Sequence, residues 1–533
     1  MCEGVEGEPL AASLLAADRP ILSRSFRFHR PRGLMCSTGQ CGWCECEVDG
    51  RPSVRSCREP VRAGLVARGE HALPSVERDL LSLVGLASQW IPPTFYHHRF
   101  LRPRILRKRY LDVLRWLGGR GRLGTRTAAR PPARTTRRIE SDVLVVGGGP
   151  AGWLVALGAA EAGARVVLCE AEREPGSGWR VEPGTERGPG SVAGLTRQAA
   201  VDGVEVLVGV AAIGWYDGMI VALGDEARYE IRAGAIVSAM GAYDRVPLVP
   251  GADRPGVMAA RTVAGLVERH GILPGERVLL VGDDRELAAA REQLGRAGVA
   301  TLIGPIPTVS LVSVRGRRRV TGAVIRDGKG ERRVSVDLVV FADRSPNLDL
   351  VLAAGAAVEA KRDTIVPVCD ESGRTSVATL FVAGSAAGRP VVGTLDGEVA
   401  RLVGRAAAAT AAAGPTESSL PLAPPARPAL ARPSTATATA AGAIVCFCED
   451  VRAWEIRAER AAGYDDPELI KRRTGALTGP CQGKYCLQAF ACIAGSRSDG
   501  AVALPTARPP LRPVRLGDLV GTEEPRVSSD ATR

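Results

Sequence analysis

The sequence contains no long apolar run and no recognisable leader. No stretch of about eighteen or more apolar residues, the minimum for a membrane-spanning helix, occurs along its 533 residues. The N-terminus also lacks the basic region, apolar core and cleavage site of a secretory signal peptide. These absences predict a soluble cytoplasmic protein without a transmembrane segment. The length exceeds what one hydrophobic core can hold, so several domains are expected.

The cysteines lack the spacing of a disulfide framework. Of the thirteen cysteines, eight fall into two tight groups. Such grouping in a reducing compartment indicates metal binding. The remaining five are interpreted as ordinary residues: Cys2, Cys46, Cys169, Cys369 and Cys492.

Excess positive charge is confined to one segment. The net charge is +12, but residues 99–138 alone hold fourteen Lys or Arg and one acid, so the rest of the chain is near neutral. This distribution predicts a basic connector or a surface for an acidic partner protein, and no nucleic-acid site. The neighbouring His97 and His98 are interpreted as packing or surface residues.

The segment 141–170 (SDVLVVGGGPAGWLVALGAAEAGARVVLCE) reads as strand, glycine turn, helix and second strand. Gly147, Gly149 and Gly152 form G-x-G-x-x-G, which allows a tight turn and close approach of a pyrophosphate to the helix N-terminus. Glu170 ends the second strand, where an acid accepts ribose hydroxyls. The segment therefore predicts a dinucleotide-binding site.

A second segment returns to this predicted domain. TLFVAGSAAG, residues 379–388, reads as a strand ending at Gly384, where flavoproteins usually place an Asp next. Ser385 stands there instead; a serine can still hydrogen bond to the ribityl chain, so FAD is favoured. No paired cysteines occur in this domain, which argues against a disulfide reductase.

A further strand-turn-helix, residues 277–304, resembles a nucleotide fold only in outline. Asp284 and Leu287 occupy the later glycine positions, and the second strand ends at Gly304 without an acid. Negative charge at the pyrophosphate position disfavours binding. We interpret this segment as a degenerate NAD-type domain.

The first cysteine group has the spacing C-x4-C-x2-C followed by a gap of twelve residues and a last Cys. Plant-type [2Fe–2S] ferredoxins open with this spacing. A hairpin turned at Asp49-Gly50 fills the gap. The predicted ligands are Cys36, Cys41, Cys44 and Cys57, and zinc is the alternative metal. The strand predicted for Ser25–His29 precedes them, and a short helix is predicted over Gly7–Ala17.

The second cysteine group reads C-x-C, thirty-two residues, then C-x4-C. Two helices separated by Gly463 are predicted between its halves. Glycines near the later pair leave N–H groups free for cluster sulfides. The predicted ligands of a second [2Fe–2S] cluster, with zinc again as the alternative, are Cys446, Cys448, Cys481 and Cys486.

Several stretches together resemble the alpha subunit of heterotetrameric sarcosine oxidase and its relatives in hydrogen cyanide synthase, opine oxidase and hydroxyproline dehydrogenase. They are FRFHRPRGLMC, FYHHRF, MGAYDRVPLVPGADRPGVM, CFCEDV…GPCQGKYC and TARPPLRPVRLGDL. The resemblance implies a subunit that holds a dinucleotide and iron–sulfur centres while a separate amino-acid-oxidase-like flavoprotein carries the amine site. Sarcosine oxidase alpha subunits continue into a folate-binding domain that is not expected here. Family members with a residue such as Ser385 in place of Asp hold NAD, so the resemblance implies tightly bound NAD as the alternative to FAD.

The expected fold class is α/β: a two-dinucleotide-binding-domain flavoprotein with an N-terminal ferredoxin-like (α+β) domain and a C-terminal small helical [2Fe–2S] domain. The expected segments are a ferredoxin-like domain, 1–90; a basic connector and linker, 91–140; a dinucleotide-binding domain, 141–249 and 341–411; an inserted degenerate domain, 250–340; a Pro/Ala/Thr linker, 412–442; a second cluster domain resembling bacterioferritin-associated ferredoxin, 443–495; and a tail, 496–533.

The expected function is electron transfer within a heteromeric amine or amino-acid dehydrogenase or oxidase. No residue is a convincing proton-transfer catalyst. Two alternatives remain: a stand-alone NAD(P)H-dependent ferredoxin-type reductase, and a non-enzymatic iron–sulfur carrier or sensor.

Overall fold

The structure is a computed structural model that describes residues 2–95, 103–118, 134–173, 192–216, 218–361, 364–389, 394–414, 442–495, 504–505, 507–519 and 521–522. The chain divides into two compact units. Unit 1 comprises residues 1–129, 243–344 and 429–505, and unit 2 comprises residues 130–242, 345–428 and 506–533. The predictions for His97 and His98, for much of the basic connector and for most of the Pro/Ala/Thr linker fall outside the described residues.

The helices are, in chain order, α1 Leu10–Ala16, α2 Arg104–Gly118, α3 Pro150–Glu161, α4 Val192–Val201, α5 Ala260–His270, α6 Asp284–Arg296, α7 Asp349–Ala353, α8 Thr394–Ala413, α9 Ala453–Ala461, α10 Pro467–Thr474 and α11 Leu487–Ala494. Short 3-10 helices cover Leu80–Trp90, Thr308–Ser310, Gly384–Ala387 and Leu516–Leu519.

The strands of the N-terminal part and of the first nucleotide fold are β1 Ser23–Arg24, β2 Pro31–Arg32, β3 Glu45–Val48, β4 Arg51–Arg55, β5 Ala67–Gly69, β6 Arg134–Val146, β7 Val166–Glu170, β8 Glu205–Val208, β9 Ala211–Tyr216, β10 Met219–Leu223, β11 Ala227–Ser238, β12 Ala242–Asp244 and β13 Val257–Ala259. The later strands are β14 Arg277–Gly282, β15 Thr301–Ile306, β16 Leu311–Arg315, β17 Gly322–Asp327, β18 Gly330–Val334, β19 Leu338–Ala342, β20 Arg344–Pro346, β21 Val358–Lys361, β22 Thr364–Pro367, β23 Leu380–Val382, β24 Ile444–Cys446, β25 Val451–Arg452 and β26 Gly521–Thr522.

The N-terminal part of unit 1 is built on a three-stranded antiparallel sheet with β3 between β4 and β5. The β3–β4 hairpin turns at Asp49 and Gly50, whose φ angles are +49° and +73°. Two residues with positive φ suit the twist of a two-residue hairpin, as predicted. Leu10 of α1 packs on Cys46 and Val48 of β3 in a small separate core.

The strand predicted over Ser25–His29 is wrong. These residues form a turn between β1 and β2, in which the N–H of His29 donates to the carbonyl of Ser25 at 3.2 Å. The backbone N–H groups of Arg27 and Phe28 donate to the carboxylate of Asp450 instead of to a neighbouring strand. Hydrogen bonds to Asp450, which is distant in sequence, thus favour a turn over the strand that the local sequence predicts.

The rest of unit 1 contains the inserted domain and the C-terminal module, residues 442–495. The inserted domain has a parallel sheet in the order β13-β19-β14-β15 and an antiparallel sheet in the order β16-β17-β18. The C-terminal module has the β24–β25 pair and three helices, α9, α10 and α11, of which the sequence predicted two. One buried core joins Trp43 of the N-terminal part, Phe341 of β19 and Phe490 of the C-terminal module.

Unit 2 is organised around a sheet in the order β8-β7-β6-β11-β10-β9, with β23 paired to β11 and β26 paired to β6. β8, β7, β6, β11 and β23 run parallel. A core containing residues of α3 and α8 and a second core containing Leu144, Ile220 and Ile231 fill the unit. The expected basic connector and linker, 91–140, ends too late, because β6 begins at Arg134 and pairs with β11 from Thr135 to Val146.

Candidate functional site

The glycine turn between β6 and α3 has the shape that the motif predicts. Gly147 has φ +111°, and a Cβ at this position would lie 2.4 Å from the carbonyl oxygen of Ala239. A Cβ at Gly152 would lie 1.8 Å from the carbonyl oxygen of Gly147. At Gly149, the residue before α3, a Cβ would meet nothing within 4 Å. Two glycines are therefore required by the turn itself, and the third leaves open space at the helix N-terminus.

Glu170 lies at the end of β7, beside this turn. Its Oε2 accepts the N–H of Gly148 at 2.6 Å, and its Oε1 accepts the N–H of Glu172 at 2.7 Å. Burial raises the pKa of Glu170, although these two hydrogen bonds act in the opposite direction. The carboxylate thus holds the glycine turn in place. It also lies where a residue that accepts hydrogen bonds from ribose hydroxyls is predicted.

Gly384 and Ser385 lie at the same edge of the sheet. Gly384 has φ +62° and begins a 3-10 turn directly after β23. The N–H of Ala383 donates to the carbonyl of Ser238 at 3.1 Å, which joins the ends of β23 and β11. Since β7, β6, β11 and β23 are parallel neighbours, their carboxyl ends form one edge. Ligands of open α/β sheets bind at such an edge, and the open space at Gly149 fits a dinucleotide pyrophosphate.

The second nucleotide fold differs at the corresponding helix. Asp283 precedes α6, and its side chain accepts the N–H groups of Arg285 and Glu286. Leu287 is fully buried. A carboxylate of the chain itself thus occupies the N-terminus of α6, where a phosphate would bind.

The first cysteine set lies in unit 1, with Cys36 beside Cys41 and Cys44 beside Cys57. All four side chains are buried. Burial acts to raise the pKa of Cys36, but hydrogen bonds from neighbours that include Cys41 hold it well below its usual range. The hydrogen bond from Cys57 likewise lowers the pKa of Cys44. A lowered thiol pKa favours the thiolate, which is the form that binds metal.

The same loop supplies two further donors to these sulfurs. Thr38 Oγ1 donates to Cys36 Sγ at 3.3 Å, and the N–H of Trp43 donates to Cys41 Sγ at 3.4 Å. Cys46, by contrast, lies in the small core beneath β3, and burial raises the pKa of its thiol. Its position supports its assignment as an ordinary residue.

The second cysteine set is also arranged as pairs, Cys448 with Cys481 and Cys446 with Cys486. Hydrogen bonding from Cys448 holds the pKa of Cys481 well below its usual range. A Cβ at Gly479 would lie 2.2 Å from the Cβ of Cys448, so the two halves of the set meet at a position that only glycine fits.

Two cysteines on each of two irons is the ligand pattern of a [2Fe–2S] cluster, and the pairing in both sets fits it. Among the described residues, no group of three or more His, Cys, Asp or Glu side chains is placed to hold a metal ion. No disulfide joins any of the thirteen cysteines.

The two cysteine sets, predicted separately, are neighbours within unit 1. Cys448 Sγ lies 3.9 Å from the carbonyl oxygen of Cys41. The rings of Trp43 and Phe447 meet edge-on with centroids 5.0 Å apart. Arg55 donates to the carbonyl of Pro480 at 3.1 Å. Nothing in the spacing of either motif indicated this contact.

Buried arginines of the N-terminal part hold this arrangement together. Arg32 pairs with Asp253 of the inserted domain and, at 2.7 Å, with Asp450 of the C-terminal module. Arg27 pairs with Glu455 at 2.5 Å. These ion pairs were not predicted from the sequence, because each arginine is an isolated charge whose partner is distant in sequence.

Three family descriptions match parts of the chain. Residues 1–72 match the 2Fe-2S iron-sulfur cluster binding domain, residues 141–283 match the pyridine nucleotide-disulphide oxidoreductase family, and residues 441–522 match the sarcosine oxidase A3 domain. The chain therefore carries a 2Fe–2S domain and a flavoprotein-type oxidoreductase domain.

Several relatives with known names are similar in sequence to most of this chain. It is 30% identical to the alpha subunit of sarcosine oxidase from Rhizobium meliloti (strain 1021) over 97% of this chain and 56% of that protein. It is 26% identical to the A subunit of opine oxidase from Agrobacterium tumefaciens (strain Ach5) over 71% of this chain and 91% of that protein. The chain belongs to the family of sarcosine oxidase alpha subunits and opine oxidase A subunits. It spans about half the length of the sarcosine oxidase subunits it matches.

The family assignment agrees with the resemblance found in the sequence. L-proline dehydrogenase from P. horikoshii has the same overall fold, with a TM-score of 0.69, 22% identity, and coverage of 97% of this chain and 95% of that one. No helix in the described part of this family member is both long and apolar enough to cross a membrane.

Proposed function

We propose that this chain is the electron-transfer subunit of a heteromeric amine or amino-acid dehydrogenase or oxidase. The observation that carries the proposal is the direct contact between two four-cysteine sets, Cys448 Sγ lying 3.9 Å from the carbonyl oxygen of Cys41. Such an arrangement suits one-electron transfer between centres. The names of the relatives, subunits of sarcosine and opine oxidases, support a substrate with a CH–NH or CH–NH2 group.

The proposed ligand set has three parts. The first four cysteines hold one [2Fe–2S] cluster and the second four hold another. The dinucleotide is FAD, with tightly bound NAD as the alternative, and it lies at the edge formed by Gly147, Gly149, Gly152, Glu170, Gly384 and Ser385. When bound, a flavin accepts two electrons and releases them singly, and [2Fe–2S] clusters carry one electron each.

In this proposal, residues of this chain bind the dinucleotide and shield the two cysteine sets from water. Gly149 leaves space for the pyrophosphate, and the N-terminus of α3 offers N–H groups to it. Trp43 and Phe447 cover the cysteine sets with apolar surface. In the described part of the chain we assign no side chain to proton transfer with substrate, so the amine chemistry belongs to a partner protein.

The proposed partner is an amino-acid-oxidase-like flavoprotein that carries the amine site. Fixing an amine against a flavin needs a substrate pocket. The domains assigned in this chain bind a dinucleotide and iron instead. Because the eight paired thiols must stay reduced to bind iron, we place the complex in the cytoplasm.

Co-expression with a flavoprotein encoded by a neighbouring gene tests the proposal. The pair should co-purify and reduce a dye with a secondary amine or amino acid, whereas this chain alone should reduce none. Amine-dependent dye reduction by the isolated chain at the rate of the complex would contradict the assignment of amine oxidation to the partner protein.

A stand-alone NAD(P)H-dependent reductase is the second candidate function, and the outline of the second nucleotide fold is its basis. The carboxylate of Asp283 at the N-terminus of α6 opposes it. Addition of NADH to the isolated holoprotein decides between the two: we expect no bleaching of the flavin, and bleaching at catalytic rates would favour the reductase. A carrier or sensor without catalysis would instead show no amine-dependent activity even with the partner.

A further inference from the structure

Arg55 is the last residue of β4, and its side chain lies between the two cysteine sets of unit 1. Its Nη1 donates to the carbonyl of Gly39, which lies in the loop that follows Cys36. Its Nη2 donates at 3.1 Å to the carbonyl of Pro480, the residue before Cys481. One guanidinium therefore joins the loop of the first cysteine set to the loop of the second.

The surroundings of Arg55 hold its side chain in this position. The side chain is 13% exposed, and its Nε lies 3.9 Å from Oε1 of Glu45, whose side chain is 8% exposed. The N–H groups of arginine point outward in a rigid planar fork. A guanidinium that donates from one nitrogen to each loop therefore fixes the distance between the two carbonyl groups.

The two loops come into contact beside this guanidinium. A Cβ at Gly42 would lie 3.3 Å from Cγ of Pro480, so the ring of Pro480 packs closely on the main chain of the first loop. Cys448 Sγ lies 3.9 Å from the carbonyl oxygen of Cys41. A sulfur of the second set thus contacts the main chain of a cysteine of the first set.

We infer that Arg55 is a positioning residue that holds the two cysteine loops at a fixed separation and thereby keeps the two centres close enough for direct electron transfer. The inference rests on the proposed assignment of both cysteine sets to [2Fe–2S] clusters. Each transfer oxidises one cluster and reduces the other by one electron. Arg55 carries no electron itself, and it acts through the two carbonyl groups that it joins.

Electron paramagnetic resonance of the full chain, purified without oxygen and reduced with dithionite, tests the inference. Two reduced clusters are both paramagnetic, and the magnetic interaction between them broadens or splits their signals more strongly the closer they lie. The unaltered chain should show this interaction. Cys481→Ser, which should retain one cluster, gives the reference spectrum without it.

Two substitutions at Arg55 remove the link in different ways. Arg55→Gln removes the guanidinium, and Arg55→Lys keeps the charge but replaces the two Nη groups with one ammonium. Both variants should keep about four irons and show a weaker magnetic interaction than the unaltered chain. Arg51→Gln is the matched control in the same strand. Arg51 pairs with Glu59 at 2.5 Å, so this variant should keep the full interaction.

The inference would be overturned by the full magnetic interaction in an Arg55 variant that contains both clusters. If only one variant retains its clusters, that variant alone decides. Loss of iron from both variants would also overturn the inference, because Arg55 would then be required for folding and not for spacing. Failure of the proposed function differs from these results: an unaltered chain without iron, or with four irons and no interaction, would contradict the electron-transfer proposal and the inference with it.

Discussion

Arg32 Nη2 lies 2.7 Å from Asp450 Oδ1, in an ion pair between side chains that are 3% and 0% exposed. Asp450 also accepts the N–H groups of Arg27 and Phe28. One carboxylate of the C-terminal module therefore organises the turn that precedes the first cysteine set. The two cysteine sets depend on each other for their geometry through this contact.

Asp450→Asn should destabilise unit 1 because it leaves the Arg32 guanidinium buried with one of its charged partners removed. Breaking a buried pair costs about 3–5 kcal/mol. We expect the first unfolding transition in urea, followed by tryptophan fluorescence, to move to a lower concentration. Glu331→Gln, in a pair whose side chains are 55% and 48% exposed, should change it by less than about 1 kcal/mol. Equal effects of the two variants would contradict the role given to Asp450.

Protein purified without oxygen should contain about four irons and four acid-labile sulfides, two of each per cluster. Cys41→Ser and Cys481→Ser should each remove about half. Cys46→Ser should remove none, because Cys46 packs in the small core with Leu10. Elemental analysis measures the metal content, and visible absorption detects the clusters. Stoichiometric zinc without visible absorption would contradict both cluster assignments.

Gly149→Val should abolish dinucleotide retention without unfolding unit 2. Its φ is −76° and a Cβ would meet no atom of the chain within 4 Å, so the main structural cost is a poorer N-cap, about 1 kcal/mol. Chromatography of the nucleotide released on denaturation should show FAD from the unaltered chain and none from the variant.

Gly152→Ala is the matched comparison, since its Cβ would collide with the carbonyl oxygen of Gly147. It should lose folded structure as well as nucleotide by circular dichroism. Full retention of FAD by Gly149→Val would place the pyrophosphate elsewhere, and release of NAD would select the alternative dinucleotide.

Acid should weaken the contact between the N-terminal part and the inserted domain. Burial would raise the pKa of Asp253, but Arg30 and Arg32 hold it far below its ordinary value of 3.8. A lowered folded-state pKa gives stability that is fully present above about pH 4 and is lost as the pH falls towards the folded-state pKa.

Asp253→Asn should remove this part of the pH dependence and lower stability at neutral pH. Urea midpoints measured between about pH 2 and pH 7 test the prediction. A variant whose midpoint falls with acid as steeply as that of the unaltered chain would show that other carboxylates are responsible.

Local patterns predicted much of this molecule. The strand, glycine turn and helix at residues 141–170 and the hairpin at Asp49-Gly50 are present. These elements depend on apolar periodicity and on backbone conformations that glycine favours, and both are visible in a short stretch of sequence.

The predictions were wrong where residues distant in sequence determine the local structure. Residues 134–138 became part of β6 because β11 offers a complete ladder to them. Ser25–His29 became a turn because Asp450, more than 400 residues later, accepts its backbone N–H groups. The predicted site residues gather as two cysteine sets and one sheet edge, but the contact between the sets required tertiary structure, because each motif is complete within its own segment.

The partners of Arg27 and Arg32 come very late in the order of synthesis, with separations of 428 and 418 residues from Glu455 and Asp450. At about 5–20 residues per second, on the order of half a minute or more of translation separates each arginine from its carboxylate. Throughout that interval the first cysteine loop lacks the contact of Phe447 with Trp43 and that of Cys448 with the carbonyl of Cys41. The arrangement of the two cysteine sets is therefore completed only after the C-terminal module has been synthesised.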